Sequence, residues 1–288
     1  MKSFQKNQSL AEFSTFGIGG AARFFTKVET IEELQEILTY CHSHKLSFHI
    51  LGKGSNSLFH DEGFDGLVIL NKIQFCEIEG SEVHVGAGFS FSLLGVKTAR
   101  IGLSGLEFAS GIPASVGGAI FMNAGANGAE ICDTLQEVIF IDEKGDQKVL
   151  ERDEFSFSYR YSAFHAMRGA IASARFALTT LDTARKKQLE IVAYRVKTQP
   201  YGERSCGCIF RNPEGESAGA LIEKCGLKDK KVGGAKVSSL HANFIINTQD
   251  ASSKDVLALA KYVSKNVKEQ TGITLEMELR TIPKTYDL

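Results

Sequence analysis

The sequence has no tryptophan, only four prolines among 288 residues, and no long apolar run. The lack of tryptophan excludes an indole sandwich around a planar ligand. No stretch approaches the roughly 18 apolar residues that a membrane-spanning helix needs, so no membrane partner is expected. Met1–Phe13 contains no apolar run either, which argues against a secretory signal peptide. We therefore expect a cytoplasmic protein.

An excess of charge of either sign is also lacking. Lys and Arg total 33 and Asp and Glu total 34, giving a formal net charge of -1. A nucleic-acid partner, which would favour a strongly basic chain, is therefore not expected. The 23% charged and 43% hydrophobic residues are typical of a globular chain rather than a disordered one. At about 150 residues per domain, the length allows two domains or one large domain.

Cysteine is scarce and scattered, and it forms no metal-binding pattern. Of the six cysteines, only Cys206 and Cys208 are close together, and one residue separates them instead of the two found in zinc and redox motifs. No second pair completes a tetrahedral set, so no metal is expected. Reduced thiols, as in a cytoplasm, are the default for such a chain.

Periodicity and capping signals predict a mixture of helices and strands without strict alternation. Thr30 and Glu33 have the spacing of a capping box that opens a helix. Apolar alternation and turn residues predict a hairpin over 136–151. Ser90 is predicted to cap a further helix. The other predicted helices cover 182–198, 217–225 and 252–270, the last ending at Gly272. The other predicted strands cover 46–51, 66–70, 171–179, 244–247 and 274–281.

Two glycine-containing loops have the composition of phosphate-binding loops. Gly17–Ala22 fits the dinucleotide pattern G-x-G-x-x-A, but the strand-like Arg23–Val28 follows it where that pattern requires a helix. Leu51–Ser57 follows a predicted strand and carries glycines and hydroxyl and amide donors. This second loop is either an anion nest for a pyrophosphate or a surface β-turn.

The segment Gly105–Gly128 is rich in glycine, and Glu107 is its one charged residue. A surface loop would carry more charge, and a core helix would not tolerate glycines that each cost up to about 1 kcal/mol relative to alanine. Two interpretations remain open. The main chain approaches a large flat ligand closely, or the segment is a tight buried turn packed against a strand.

Six motifs occur in a fixed order along the chain. They are Thr15-Phe-Gly-Ile-Gly-Gly20, Leu51-Gly-Lys-Gly-Ser-Asn56, Gly105–Gly128, Ser158-Tyr-Arg-Tyr-Ser162 with Phe164, Ser205-Cys-Gly-Cys-Ile-Phe-Arg-Asn-Pro213, and Ser238-x-x-His-Ala-Asn-Phe-Ile-Ile-Asn247. Together they resemble the UDP-N-acetylenolpyruvoylglucosamine reductase (UDP-N-acetylmuramate dehydrogenase) family in its shorter, type II variant. The resemblance runs from about residue 12 to 282.

The resemblance implies an α+β protein with a vanillyl-alcohol-oxidase/PCMH-type FAD-binding fold of two subdomains, followed by an α+β substrate-binding domain. The expected boundaries are 1–70, 71–182 and 183–288. FAD and NADPH are the implied cofactors, and the enolpyruvyl ether of UDP-N-acetylglucosamine is the implied substrate. Its reduction to UDP-N-acetylmuramate serves bacterial peptidoglycan synthesis. A monomer is expected.

The family's catalytic residues are carried over to three positions. Arg160 would face the substrate carboxylate, which a guanidinium grips through two parallel hydrogen bonds. Glu278 would help to hold the enolate, with Glu276 as the candidate if the register slips by two residues. Cys208 stands where most members have a serine proton donor; its thiol, with a reference pKa near 8.5, is a far stronger acid than an alcohol.

The binding residues implied by the resemblance form two sets. Those implied for FAD are Gly52, Lys53, Gly54, Ser55, Asn56, Ser57, Gly111, Ile112, Ser115, Gly118 and Gly125. Those implied for the substrate are Asn123, Tyr159, Arg211, Asn212, His241 and Asn243. For His241 a structural role is the alternative. Asn127 replaces a tyrosine frequent in relatives, and Ala114 replaces a glycine.

Two other functions remain as alternatives. One is an FAD-dependent oxidase of the same fold that acts on a sugar alcohol or lactone, and the other is a nucleotide-binding regulatory module without chemistry. The motifs around Arg160 and Cys208 argue against the oxidase. The presence of Arg160, Glu278 and a protic residue at position 208 argues against the regulatory module.

Overall fold

The helices of the protein lie close to the positions that the sequence predicts for them. A computed structural model describes residues 4–283, so the first residues of Met1–Phe13 lie outside it. Within this range there are six α-helices: α1 Ile31–Ser43, α2 Phe91–Arg100, α3 Val116–Phe121, α4 Ala184–Thr198, α5 Ala218–Lys224 and α6 Ser253–Thr271. The predicted helices over 182–198, 217–225 and 252–270 are confirmed, within two residues at each end.

The strands are mostly short. Along the described residues they are β1 Gln5–Ser9, β2 Ala21–Val28, β3 Phe48–Leu51, β4 Ser57–Phe59, β5 Phe64–Asn71, β6 Cys76–Glu79, β7 Glu82–Gly86, β8 Leu103–Ser104, β9 Gly125–Ala126, β10 Ala129–Glu130, β11 Leu135–Asp142, β12 Gln147–Glu151, β13 Phe157–Ser158, β14 Tyr161–Ser162, β15 Gly169–Ala177, β16 Thr179–Thr180, β17 Ser205–Cys208, β18 Lys231–Val232, β19 Ala235–Val237, β20 Phe244–Asn247 and β21 Arg280–Ile282.

Helix ends follow local hydrogen bonding. The Thr30 hydroxyl accepts from the Glu33 backbone N–H at 3.2 Å and opens α1, as the capping-box spacing predicts. Ser252 caps α6 in the same way, and Gly272 ends that helix with a φ of 77°, a left-handed conformation that glycine adopts without strain.

The described residues divide into two compact units. Unit 2 comprises residues 25–53 and 66–195. Its main sheet has the order β12-β11-β15-β7-β6 with antiparallel neighbours, and the predicted hairpin supplies β11 and β12. Helices α2 and α3 and the 105–128 segment contribute to one apolar core with this sheet, in which Phe91, Val116 and Phe176 are fully buried. In unit 2, β3 also pairs in parallel with β5.

Unit 1 comprises residues 4–24, 54–65 and 196–283. Its main sheet has the order β17-β20-β19-β18, and a parallel pair joins β21 to β4. Its core includes Cys206 on β17, Ile222 on α5 and Val263 on α6. The expected division at residues 1–70, 71–182 and 183–288 stays a prediction.

One predicted strand is wrong over most of its length. The strand expected over 274–281 is present only as β21, Arg280–Ile282. The segment changes its pairing partner: Met277 bridges Phe210, whereas Arg280 pairs with Ser57 on β4. Because one extended strand edge cannot follow both partners, regular pairing breaks between these two points.

Residues 4–283 contain neither a membrane-spanning helix nor a metal-binding cluster. No helix in that range is long and apolar enough to cross a membrane. No cluster of three or more His, Cys, Asp or Glu side chains in the same range could hold a metal ion.

Candidate active site

The loop after β3 packs against the start of α3 within unit 2. A Cβ on Gly52 would lie only 2.2 Å from the Ser115 Oγ, so any larger residue here would have to displace the Ser115 hydroxyl. The same Ser115 hydroxyl caps α3 by accepting the Gly118 N–H at 3.3 Å. Further along the chain, the Gly111 N–H donates to the Ser92 Oγ at 2.8 Å. Main chain without side chains is therefore exposed beside a helix N-terminus, where partial positive charge favours an anion.

Two lysines add positive charge to this part of unit 2. The Lys53 ammonium donates to the Ser90 Oγ at 2.7 Å, and Ser90 is the N-cap of α2. Partial burial, together with the charge of Lys72, lowers the pKa of Lys53. Ser90 also forms an isolated bridge with Ser115, so the capped ends of α2 and α3 are neighbours. An anionic group bound here would relieve the repulsion between the lysines, as a pyrophosphate does.

Gly52→Ala is expected to weaken FAD binding by at least about tenfold, because the new methyl group displaces the Ser115 hydroxyl from α3. Titration of the apoprotein with FAD, followed by quenching of flavin fluorescence, measures this. The matched control is Gly202→Ala, since nothing lies within 4 Å of a Cβ there. Equal FAD affinity in both variants would show that Gly52 does not contribute to FAD binding.

The rest of the loop, Gly54–Ser57, belongs to unit 1 and is bonded to two distant segments. Gly54 has a φ of 63°, and a Cβ on it would lie 2.0 Å from the Phe13 carbonyl oxygen. The Asn56 amide donates to the Glu278 carbonyl at 3.3 Å, and the Arg280 N–H donates to the Asn56 carbonyl at 3.2 Å. The thiol of Cys206 lies 3.4 Å from the Ser57 carbonyl oxygen. The loop therefore holds β17 and the segment that carries Glu278.

Burial raises the pKa of the Cys206 thiol to about 11, from an ordinary value of 9.0. The unfolded chain loses this proton from about pH 9, whereas the folded chain keeps it until about pH 11. The free energy of unfolding should therefore fall as the pH rises through this window, by up to about 1.4 kcal/mol per pH unit. Denaturant unfolding of the wild type and Cys206→Ser in reductant, from pH 8 to 11, measures the difference. Parallel curves for the two proteins would contradict the assignment.

A main-chain hydrogen bond in unit 1 joins the segments that carry Cys208 and Glu278. Cys208 ends β17 and is partly exposed, and the Glu278 N–H donates to the carbonyl of the next residue, Ile209, at 2.8 Å. The buried Asn243 fixes the chain that follows: its Oδ1 accepts the Phe210 N–H at 3.0 Å and its Nδ2 donates to the Phe210 carbonyl at 2.8 Å. A thiol and a carboxyl-bearing segment are thus held side by side.

The alternative carboxylate, Glu276, has a different environment. Its side chain is 76% exposed and lies 4.0 Å from the Arg211 guanidinium, and the Arg211 N–H donates to the Glu276 carbonyl. Glu278 is partly buried by comparison. The backbone pairing thus joins Glu278 to Ile209, the residue after Cys208, and joins Glu276 to Arg211.

Arg160 lies at the tip of a two-residue turn in unit 2. Strands β13 and β14 pair Ser158 with Tyr161, which leaves Tyr159 and Arg160 as the turn. Arg160 has a φ of 55°, a left-handed conformation that is uncommon for residues other than glycine, asparagine and aspartate. Its Nη2 donates to the Gly125 carbonyl at 3.0 Å, and its guanidinium lies 5.0 Å from the Tyr159 ring centroid. A left-handed backbone at a partly buried arginine is the kind of local strain that clusters at functional positions.

Aromatic rings support this turn from one side. The His165 ring stacks on Phe121, with centroids 4.0 Å apart, and on Tyr161, with centroids 4.7 Å apart. The Ser162 hydroxyl donates to the Phe121 carbonyl at 2.7 Å. The hairpin that bears Arg160 is therefore fastened to the end of α3.

The remaining substrate candidates have varied surroundings. Tyr159 is exposed, whereas Asn123 is fully buried in unit 2. The Asn212 Oδ1 accepts the Ala218 N–H at 3.0 Å at the start of α5. His241 packs edge-on against Phe244, its Nδ1 accepts the Asn243 N–H, and burial lowers its pKa. Contact of these residues with a substrate stays a prediction.

Several supporting residues could not be predicted from the sequence, although signals for some were present. Ser90 was predicted only as a helix cap, and Cys206 only as half of a cysteine pair. Lys72 and Glu130 were not identified at all. The charge of Lys72 lowers the pKa of Lys53, and Glu130 accepts a hydrogen bond from Asn123. Only folding brings the members of each pair close together. A capping-box spacing from Glu130 to Asp133 was readable, and the structure forms that box.

Comparison with known proteins covers both units. A family model described as FAD binding domain matches residues 22–151. A second, the C-terminal domain of UDP-N-acetylenolpyruvoylglucosamine reductase, matches residues 199–282. The reductase of that name from Protochlamydia amoebophila is 56% identical over 99% of this chain and 95% of its own length.

Further relatives agree with these matches. The Chlamydia trachomatis protein of the same name is 47% identical over 98% of this chain and 97% of its own length. The crystal structure of UDP-N-acetylenolpyruvylglucosamine reductase from Thermus caldophilus is similar with a TM-score of 0.83 and 37% identity. It covers 97% of this chain and 99% of that one. The expected fold, an FAD-binding part followed by a reductase C-terminal domain, is confirmed.

Proposed function

Because the chain belongs to the UDP-N-acetylenolpyruvoylglucosamine reductase family, we propose that it reduces the enolpyruvyl ether of UDP-N-acetylglucosamine to UDP-N-acetylmuramate, with NADPH as the electron source. The chain is an FAD-dependent oxidoreductase. The observation that supports the proposal most is the hydrogen bond between the main chains of Glu278 and Ile209, which joins the Glu278 segment to the residue that follows Cys208.

The residues of each unit fit the parts of FAD that they would hold. In unit 2, the glycine at position 52, the capping hydroxyl of Ser115 and the Lys53 ammonium suit a pyrophosphate. In unit 1, Gly54–Ser57 offers main chain and small polar side chains. The full set proposed for FAD is Gly52, Lys53, Gly54, Ser55, Asn56, Ser57, Gly111, Ile112, Ser115, Gly118 and Gly125.

When bound, FAD supplies the hydride, taken from NADPH, that adds to the enolpyruvyl methylene carbon. Electrons of the double bond then move onto the neighbouring carbon and into the carboxylate. The Arg160 guanidinium is proposed to hold that carboxylate through paired charge-assisted hydrogen bonds. Its permanent charge stabilises the enolate more than the neutral double bond, which is what lowers a barrier.

Cys208 is proposed to complete the reaction by giving its proton to the carbon that bears the carboxylate. The S–H bond breaks, a C–H bond forms, and the thiolate takes a proton back from solvent. Glu278 is proposed to hydrogen-bond the enolate while this occurs. The main-chain bond from Glu278 to Ile209 keeps its segment next to Cys208.

The substrate's nucleotide and sugar are proposed to contact Asn123, Tyr159, Arg211, Asn212, His241 and Asn243. The two FAD subdomains, 1–70 and 71–182, and the substrate domain, 183–288, are proposed on the same family resemblance. So are a monomeric state and a cytoplasmic location, where the nucleotide substrate would be available.

The test follows NADPH oxidation by the purified protein with and without the enolpyruvyl sugar nucleotide. The proposal expects bound flavin and consumption of NADPH that depends on the substrate, with UDP-N-acetylmuramate formed. Oxygen consumption with a sugar alcohol and no need for NADPH would instead indicate an oxidase. A protein that binds the sugar nucleotide but cannot bind FAD would indicate a module without chemistry.

A further inference from the structure

Asn123 connects the Arg160 turn to a carboxylate. Asn123 is fully buried, and its Nδ2 donates both to the Glu130 Oε2 at 2.8 Å and to the Ser158 carbonyl at 3.0 Å. Both partners can only accept hydrogen bonds, so they dictate which way the amide faces. The Asn123 Oδ1 is left buried and without a partner among the described residues. The amide nitrogen therefore holds Ser158, two residues before Arg160.

The side chain of Glu130 also packs against Gly125, the residue whose carbonyl accepts from the Arg160 guanidinium. Glu130 pairs with Gly125 across β9 and β10, and a Cβ on Gly125 would lie 2.8 Å from the Glu130 Cγ. The Gly125 carbonyl accepts from the Arg160 Nη2 at 3.0 Å. Glu130 thus contacts Asn123, which holds the hairpin main chain near Arg160, and Gly125, which holds the Arg160 guanidinium.

We propose that Glu130 is a positioning residue for Arg160, acting through Asn123 and Gly125. The carboxylate, an acceptor only, orients the Asn123 amide toward the hairpin and lies over the Gly125 main chain. It thereby fixes where the guanidinium meets the substrate carboxylate. This inference rests on the proposed function for the role of Arg160 and goes beyond it in assigning Glu130.

A purely local role for Glu130 has a direct test in the same motif. Glu130 is the N-cap of the short 3-10 helix Ile131–Asp133 and forms a capping box with Asp133: the Glu130 side chain accepts the Asp133 N–H, and the Glu130 N–H donates to the Asp133 Oδ2 at 2.8 Å. Glu130→Ala and Asp133→Ala each break one bond of this box, but only Glu130→Ala also breaks the bond to Asn123. If Glu130 acts through the box alone, the two variants should therefore have similar effects.

The experiment measures kcat/KM for the enolpyruvyl substrate in Glu130→Ala, Glu130→Gln and Asp133→Ala. We expect about a tenfold loss in Glu130→Ala and a smaller loss in Glu130→Gln, whose amide can still accept from Asn123 but can also turn over. Asp133→Ala should stay within about twofold of the wild type. Reduction of bound flavin by NADPH should be unchanged in all three.

A double-mutant cycle separates positioning from general destabilisation. In an Arg160→Ala background, Glu130→Ala should lower kcat/KM by less than about twofold, since no guanidinium remains to be positioned. A full further tenfold loss in that background would overturn the proposal. Equal losses in Glu130→Ala and Asp133→Ala would also overturn it.

Hydrogen exchange gives a readout that needs no turnover. The amides of residues 157–162 should exchange about tenfold faster in Glu130→Ala than in Asp133→Ala, and unchanged exchange would overturn the proposal. Failure of the proposed function looks different: the wild type would show no substrate-dependent NADPH oxidation, whatever the exchange rates of the variants.

Discussion

Arg160→Ala and Arg160→Gly are expected to lose activity equally, by about 10²–10³-fold in kcat/KM, while differing in stability. Either substitution removes the guanidinium that is proposed to hold the substrate carboxylate. Arg160, however, has a φ of 55°, at the turn position where glycine is the usual residue. A Cβ in that conformation costs roughly 1–2 kcal/mol, so the glycine variant should be more stable than the alanine variant by about 1 kcal/mol.

Denaturant unfolding and steady-state kinetics of the two variants test this expectation, with Arg160→Lys as the control for charge alone. Lysine keeps the charge but cannot form the paired bonds, so intermediate activity is expected. An active glycine variant would remove Arg160 from the chemistry. Equal stability of the glycine and alanine variants would contradict the left-handed turn.

Cys208→Ala is expected to lower turnover by about 10²–10⁴-fold, the usual contribution of a positioned general acid. Cys208→Ser should remain within about tenfold of the wild type, because a hydroxyl can occupy the same place and donate a proton. Flavin reduction by NADPH should be normal in both variants, since no thiol is needed for that half-reaction. Rapid-mixing measurements of the two half-reactions separate these effects.

The matched control is Cys225→Ala, a cysteine of unit 1 outside the proposed machinery, which should keep wild-type turnover. Near-normal turnover of Cys208→Ala would assign the protonation to another group. Loss of flavin reduction in Cys208→Ala would show that the substitution disturbs the cofactor site instead.

Much of the local structure could be predicted because its causes are local. The caps at Thr30 and Ser252 and the glycine after α6 use side chains within a few residues of the helix ends. The sequence predicts a strand after Gly17–Ala22 where a dinucleotide-binding loop needs a helix, and β2 confirms this prediction. The loop after β3 was also readable from its glycines and polar side chains.

The parts that could not be predicted depend on contacts between distant segments. Residues 276–278 take 209–211 as backbone partners and then give way to pairing with β4, which no periodicity in 274–281 records. The left-handed conformation of Arg160 is imposed by a hairpin that is docked on α3. Glu130 acquires its partner only when β9 and β10 fold back together.

The most direct test of the central claim is an anaerobic single turnover in deuterated water. The protein is first reduced with stoichiometric NADPH and then mixed with the enolpyruvyl sugar nucleotide. We expect the flavin absorbance to return and UDP-N-acetylmuramate to form with one solvent deuteron on the carbon that bears the carboxylate. A flavin that stays reduced after the substrate is added would contradict the account.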